Sequence, residues 1–425
     1  MKSYLSKLCR LGALCLIWSI TPLALADDAS DYSEFLAALD KLDNKKFRPL
    51  LIEELHQYLR RFQDTAGLDE IHFKLATEYD KHNKKPESFV TNLEVVYLYP
   101  DSGHFSTAQD RVRNLLIQEK KFRPLKDKMD EIVNPVPSDS TREAAHYSLI
   151  KKLYYYNFDF VSGALVSSCV RFMQHFPNSA DLDEVNFWKA ELLARDDQHV
   201  AALTEYLKMT YLYKGSVHVS ASKLKIADLQ TKKFKMHREA IATLDAFIEE
   251  FPDDPQAAFA LVRKAEITTK KIKQHNQAIL AYLDVPTNYP KSLEAVPALF
   301  AAAQLYESKI KDYNQAIQIY ATVVADFKDD IKAPYALTES ARIYEDRLKD
   351  YANAATVYEK VYQLFPDSDI AAESLYAAAE INEKKIKNSE AALTHYRTIV
   401  DKYPTTDIAE KANKRIAKLS RNSLK

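Results

Sequence analysis

LFAAAQLYESKIKDYNQAIQIYATVVADFKDD, residues 299–330, is followed at 337–368 by LTESARIYEDRLKDYANAATVYEKVYQLFPDS. With Leu299 laid on Leu337, the first copy falls on the second. Each copy reads as a short first helix ending in Leu-Tyr or Ile-Tyr, a Lys-Asp-Tyr turn, a second helix with Ala and Tyr four apart, and a Phe-Lys or Phe-Pro stop. A unit that returns at a fixed period of this length is the signature of stacked supersecondary repeats.

The period extends well beyond these two copies. In the second helix Ala164, Ala202, Ala240, Ala278, Ala316, Ala354 and Ala392 recur at that same step, and in the first helix Ala190, Ala227, Ala265, Ala303, Ala341, Ala379 and Ala417 keep it to within one position. The stop returns as Tyr99-Pro100, Phe176-Pro177, Phe251-Pro252, Tyr289-Pro290, Phe365-Pro366 and Tyr403-Pro404. Alanine at one point of every helix lets neighbours approach closely, and the large residues around it fill the grooves. Four residues after the second-helix alanine stand Tyr206, Tyr282, Tyr320, Tyr358 and Tyr396. Proline ends the second helix, and an Asp or Ser opens the next, as at Asp407 with Glu410 at capping-box spacing. One hairpin is too small to bury its own apolar face, so the sequence predicts an all-α solenoid of stacked hairpins.

Ala303, Tyr306, Tyr313, Ala316, Tyr320 and the closing proline position follow, in order, the pattern of the tetratricopeptide repeat, which the chain resembles from about Ser179 to its C-terminus. The form is the slightly long one common in bacterial envelope proteins. Alanine replaces the usual glycine of the first helix, and one extra residue sits between the helices. The resemblance implies a right-handed superhelix whose first helices line a concave, ligand-binding side.

Residues 1–26 read as a cleaved secretory signal peptide: Lys2, Lys7 and Arg10, then the apolar run Leu11–Ile20, then Ala24-Leu25-Ala26. An uncleaved anchor is the alternative, but the run is short for a bilayer. Residues 27–140 read as degenerate N-terminal repeats of looser packing or a terminal cap, because Arg113 and Ile150 occupy places where first-helix alanines belong. The two-proline stretch NPVPSDS, 134–140, is the candidate boundary. Residues 141–404 form the regular array. Residues 405–425 carry a capping helix with Ile408, Ala412, Ile416 and Leu419 on one face, for which a basic membrane-surface helix is the alternative reading.

Of 59 Lys plus Arg the leader takes three, leaving the rest outnumbered by 60 Asp plus Glu, a balance that argues against nucleic acid as a partner. Beyond the leader Cys169 is the only cysteine, set among Val166, Val170 and Phe172, and reads as a buried structural thiol. The four remaining glycines are isolated, which excludes phosphate-cradling loops and nucleophile elbows. No two histidines stand three or four apart to offer a helical metal face. Asp181/Asp183, Asp253/Asp254 and Asp329/Asp330 follow the stops, where they cap the next helix. The Leu153–Tyr156 run and most of the 26 tyrosines fall on the repeat grid, as packing residues, although one of Tyr154 to Tyr156 should be exposed. Neither catalysis, cofactor nor metal is expected.

Surface is what remains. The residue after each first-helix alanine is Glu191, Asp228, Glu266, Gln304, Arg342 or Glu380, and four residues earlier stand Phe187, Leu224, Val262, Phe300, Thr338 and Tyr376. If the family geometry holds, this gives the groove an acidic row beside an apolar one, suited to a basic or amphipathic partner segment. The alternative is a solvated helix face. The expectation is a periplasmic interaction scaffold of the bacterial envelope, without a transmembrane anchor once the signal is removed and binding peptide or helical segments of envelope or secreted proteins. It resembles the repeat proteins that serve the Tol–Pal system and outer-membrane protein assembly, but lacks the N-terminal coiled coil of the first and the lipid-anchoring cysteine of the second. The competing readings are an adaptor of a polysaccharide or protein secretion machine, a cell-wall glycan-binding or glycan-processing subunit, and a secreted effector that binds host proteins.

Overall fold

The computed structural model describes residues 29–134, apart from positions 43, 45 and 64, and residues 141–422. The leader and most of the two-proline boundary lie outside the described residues. Among those described there are 21 α-helices and no strand, and none of the helices is long and apolar enough to cross a membrane. The packing divides at Ser222/Lys223 into two compact units.

In the first unit the helices are α1 (Ala29–Asp40), α2 (Arg48–Arg61), α3 (Leu68–Lys81), α4 (Lys85–Leu98), α5 (Phe105–Gln118), α6 (Met129–Val133), α7 (Arg142–Tyr156), α8 (Ser162–His175), α9 (Leu182–Arg195) and α10 (His199–Leu212). Its N-terminal part is not the loosely packed series that the blurred repeat suggests. Every residue from Ser88 to Leu98 of α4 is buried, the polar Ser88, Thr91, Asn92 and Glu94 included, because the helix is covered by α3, α5, α7 and α8. Phe89 and Val133, before the two-proline stretch, share one core with Leu149 and Trp188 after it. The ends of α2 and α8 also meet: Gln63 Nε2 donates to the Gln174 carbonyl at 2.9 Å, and a ring nitrogen of His175 lies 2.8 Å from the Leu59 carbonyl. Contacts across so much chain close the early hairpins on themselves.

Burying α4 takes Glu94 out of water. Its carboxylate accepts Arg171 Nε at 3.0 Å, Arg171 Nη2 at 2.7 Å and Ser168 Oγ at 2.6 Å, with His146 Nε2 at 3.4 Å. Burial alone would push this carboxyl up; Arg171 and His146 outweigh it and hold it well below the usual carboxylate range. Desolvation on this scale costs several kcal/mol per ion and is offset only by bidentate pairing with the remaining lone pairs filled. His56, His72, His146 and His175 surround this pair. Burial holds His56 at about 3 and His72 at about 4, and it lowers His146 and His175 as well. Cys169 is fully buried in the same core, its thiol pushed up to about 12. Tyr154 stacks on Trp188 at 5.3 Å, while Tyr155 is exposed.

α11 (Val219–Lys232) contains the division. The second unit continues with α12 (His237–Glu250), α13 (Ala257–Ile267), α14 (His275–Asn288), α15 (Ala295–Leu305), α16 (Tyr313–Asp326), α17 (Ala333–Ile343), α18 (Tyr351–Leu364), α19 (Ala371–Ile381), α20 (Ser389–Lys402) and α21 (Asp407–Asn422). Consecutive helices pack in pairs. Ala240, Ala278, Ala316, Ala354 and Ala392 are fully buried, as are Ala265, Ala303, Ala341 and Ala379.

The first helix does not end at its Leu-Tyr. It widens into a π turn over Thr268–Ile272, Tyr306–Ile310, Tyr344–Leu348 and Asn382–Ile386. One residue of the long repeat is therefore taken up inside the first helix, as an i→i+5 turn. Each turn is closed by a lysine in the left-handed region: Lys273, Lys311, Lys349 and Lys387, with φ of 62°, 67°, 57° and 66°. The residue after it donates to the same carbonyl as the lysine does, as Lys311 and Asp312 both do to Tyr306. Asp312, Asp350 and Asn388 then cap the second helix through backbone N–H groups three residues on, each at 3.1 Å.

Three expectations are corrected here. Asp407 is the first residue of α21, and its cap is Thr406, whose Oγ1 accepts the Ala409 N–H at 3.2 Å. Ala417 keeps the numerical step but is exposed; Ala409 and Ala412 are the buried small residues of that helix, which lies on α19 and α20. The acids after the stops act one turn earlier than a simple cap, as Asp254 and Asp330 accept the N–H two residues on at 2.8 Å, just before the helix.

A side chain in the left-handed region costs about 1–2 kcal/mol, partly balanced by the extra backbone entropy of glycine in the unfolded chain. Changing both Lys311→Gly and Lys349→Gly is therefore expected to stabilise the protein by about 1 kcal/mol, read as a higher urea midpoint at unchanged slope. A lower midpoint would show that the lysine stems contribute more than φ. In the first unit the fold holds four neutral imidazoles, whereas the unfolded chain takes up protons below about 6.5. Stability is thus full above that pH and falls as pH drops from it towards 4. Each histidine contributes at most about 1.4 kcal/mol per pH unit. Emission of Trp188, the only tryptophan past residue 18, should report unfolding at lower urea at pH 5.5 than at pH 7.5; equal midpoints would contradict the assignment.

Candidate functional site

First helices present two positions per repeat to their free face. In the first unit Phe187 and Glu191 lie one turn apart on α9, both half-buried. Phe187 stacks on His218 at 4.5 Å and meets Tyr206 edge-on at 6.2 Å, while Tyr206 Oη donates to Glu191. Leu224, Asp228, Val262, Glu266, Phe300, Thr338, Arg342, Tyr376 and Glu380 of the second unit are likewise half-buried, and Gln304 is exposed. The apolar row rests on the second-helix tyrosines: Phe300 on Tyr320 at 5.2 Å and Tyr376 on Tyr396 at 5.3 Å. Packing leaves these rings half-buried, and Lys332 Nζ lies 5.9 Å from the Phe300 ring centre.

The acidic row is less bare than its sequence suggests. Asp228 pairs with Arg263 at 2.6 Å and Lys232 at 2.7 Å, Glu266 lies 3.5 Å from Lys270, and Glu380 pairs with Lys384. A basic partner would have to share these carboxylates. Arg342 is committed to Glu307 and Glu339, each at 2.8 Å.

Glu307 is a residue that the row-by-row reading missed. It accepts Arg342 Nη2 from the next first helix and Arg347 Nε from the next π turn, at 2.8 and 3.0 Å. Burial would raise its carboxyl, but the two guanidinium groups hold it below the ordinary value. The same place one repeat later, Glu345, lacks such partners and is raised by burial and by Asp346. Two repeats later Glu383 takes Arg415 of α21 at 2.9 Å. The equal spacing of Glu307, Glu345 and Glu383 was the available signal.

Between α15 and α17 the face opens into a cleft of about 560 Å³ lined by Phe300, Gln304, Ile331, Lys332, Tyr335 and Glu339 among others. Ile331 is 83% exposed, and Tyr335 Oη donates to Asp369 at 2.6 Å. The cleft thus brings together two of the residues picked from sequence and adds two loop residues, Ile331 and Lys332, and two groups of the next first helix, Tyr335 and Glu339. A second opening, of about 520 Å³, lies along α12 to α14, with Leu280 exposed on it. Among the described residues no three His, Cys, Asp or Glu are grouped to hold a metal ion.

Arg347→Ala and Glu307→Gln, alone and together, form a double-mutant cycle that should give a coupling of about 1 kcal/mol in urea unfolding. A coupling near zero would remove this bridge from the forces that join consecutive repeats.

Four stretches, 221–254, 297–330, 335–368 and 373–406, match the tetratricopeptide repeat family. The α13–α14 hairpin lies outside them although Ala265, Ala278 and Tyr282 keep the register. No curated protein matches the chain significantly. Among solved structures, a tetratricopeptide repeat protein from Parabacteroides merdae is 16% identical over 63% of this chain and 97% of its own, with a TM-score of 0.34. The C-terminal part of a repeat-containing protein from Cytophaga hutchinsonii is 15% identical over 63% and 98%, at 0.39. Yeast Tom70 is 12% identical over 94% and 90%, at 0.29.

Proposed function

We propose that the chain is an exported scaffold of the bacterial cell envelope that holds segments of partner proteins along the first-helix face of its repeats. Tetratricopeptide repeats are protein-interaction modules, which supports the class of activity. Export is carried by the basic, then apolar, then small-residue order of residues 1–26.

The observation that carries the binding role is the cleft over Phe300. It offers an aromatic wall, an exposed Ile331, and amide, hydroxyl, ammonium and carboxylate groups around the rim. An apolar floor with a few convergent polar groups is what an extended or helical segment needs: burial for one or two anchors and hydrogen bonds for direction. The paired state of Asp228, Glu266 and Glu380 makes charge a weaker selector than shape on this face.

Crosslinking in cells, with a tag after Lys425, should recover a small set of envelope proteins. Phe300→Ala with Tyr335→Ala should reduce that recovery several-fold, and Glu191→Lys, Asp228→Lys and Glu266→Lys together should reduce it less, with helicity unchanged in both. Undiminished recovery from the first variant would overturn the cleft assignment. Release of soluble fragments from purified cell-wall sacculi would instead favour a glycan-processing subunit. Recovery of a secretion complex would favour the adaptor reading, and appearance in the culture medium would move the site of action outside the cell.

A further inference from the structure

The turns inside the hairpins carry a second register that the binding face does not use. KKFK (232–235), KKIK (270–273), SKIK (308–311), DRLK (346–349) and KKIK (384–387) stand one repeat apart. In every copy the second residue is a cation, the third is apolar and the fourth is lysine.

These turns form one continuous edge of the second unit. Arg347 of one turn bonds Glu307 of the turn before at 3.0 Å, and Lys385 lies 5.2 Å from the ring centre of Tyr351, which follows the preceding turn. All the cations in these turns are exposed. Lys271, Lys273, Lys309, Lys311, Lys349 and Lys387 make no ion pair among the described residues, although the first residue of a turn often does, as Lys232 with Asp228. Between them Ile310, Leu348 and Ile386 are 38 to 40% exposed. The edge where second helices hand over to first helices has more acids than cations, with Asp253, Asp329, Asp367 and Asp369 exposed beside Lys291, Lys328 and Lys332. In a chain with formal net charge −1 the turn edge thus carries an excess of cations, although Asp312 and Asp346 are also exposed along it.

Backbone geometry adds an independent observation. The fourth residue sits in the left-handed region in all five turns, Lys235 at φ 60° included. Glycine or asparagine fits that region at lower cost, yet lysine occupies it every time. Strain retained at a repeated, exposed position points to a use for the side chain.

We infer that this edge docks on a bilayer surface rich in anionic phospholipid. Cations in a row collect the attraction of a charged leaflet. Lysine stems can lie along the headgroup layer with their ammonium groups in water. The exposed Ile and Leu tips between them would enter the boundary between headgroups and acyl chains. A nucleic acid would call for aromatic stacking platforms or arginine forks, and the exposed apolar column here is aliphatic. The inference rests on the second unit alone and stands apart from the cleft.

Vesicle co-sedimentation of the full chain from Asp27 tests it, with neutral phosphatidylcholine set against vesicles holding about 30 mol % phosphatidylglycerol. Binding is expected only to the second kind and should fall at least tenfold when salt is raised from about 50 mM to about 500 mM. Lys271→Glu, Lys309→Glu and Lys385→Glu together should weaken it at least tenfold, whereas Lys291→Glu, Lys328→Glu and Lys402→Glu on the other edge should leave it within about twofold. Lys273→Gly, Lys311→Gly and Lys349→Gly should weaken binding while the urea midpoint holds or rises, which separates lost docking from lost folding. Ile310→Ser, Leu348→Ser and Ile386→Ser should weaken it several-fold. No binding to anionic vesicles, or equal loss from both sets of reversals, overturns the inference. So does binding that ignores the serine changes and is fully competed by heparin, which would mark a soluble polyanion as the occupant.

Discussion

Close approach of helix on helix is the constraint on which this molecule depends. Each hairpin has helices of about fourteen residues, too short to be stable alone in water, and each carries an apolar stripe wider than its own partner can cover. Alanine at Ala303, Ala316, Ala341 and Ala354, all fully buried, brings the backbones near enough for Tyr320 and Tyr358 to reach across the pair. A larger residue at any of these points would hold the stack apart and leave the tyrosines short of contacts. The period follows from this geometry, since the same contact must be remade at every step.

Within that geometry the long repeat has to place an extra residue without disturbing the alanine contact. The π turn does so at the exposed end of the first helix, where Tyr306 accepts from both Lys311 and Asp312. Asp312 then satisfies the N–H of Gln315 and starts the second helix. Loop length, helix termination and capping are thus settled by a few neighbouring residues, and the next repeat begins in register.

The first unit meets the same burial requirement differently. Its α4 is enclosed by other helices on its polar as well as its apolar positions, and the enclosed Glu94 takes its partner Arg171 from α8, far along the chain. Such a pair adds little net stability but penalises arrangements that would leave either charge alone. Local sequence reasoning could follow Ala303 or Tyr320, whose roles return in every regular repeat, and so the helical stack and the half-buried rows could be read. Glu94 meeting Arg171, or Gln63 meeting Gln174, has no period to announce it. The cleft was legible by half: Phe300 and Gln304 lie on the repeat grid, whereas Ile331 and Tyr335 enter from the loop and the start of the following helix. The charge balance of the acidic row was hidden for a similar reason, because Arg263 reaches Asp228 from the next repeat.

Lysine at the left-handed position is where local economy and the sequence disagree. At Gly67, the only glycine of positive φ among the described residues, the left-handed region is occupied at no steric cost. From Lys235 to Lys387 the chain forgoes that solution five times while keeping the same backbone. Helix C-termini do favour nearby cations through the dipole, and that accounts for lysine somewhere in the last turn. It does not require the strained residue itself to be the cation, since the residue before the apolar one already supplies a cation in all five turns. A pure stability argument would therefore place glycine or asparagine there, and the repeated departure from it is best understood as selection acting on what the exposed edge touches.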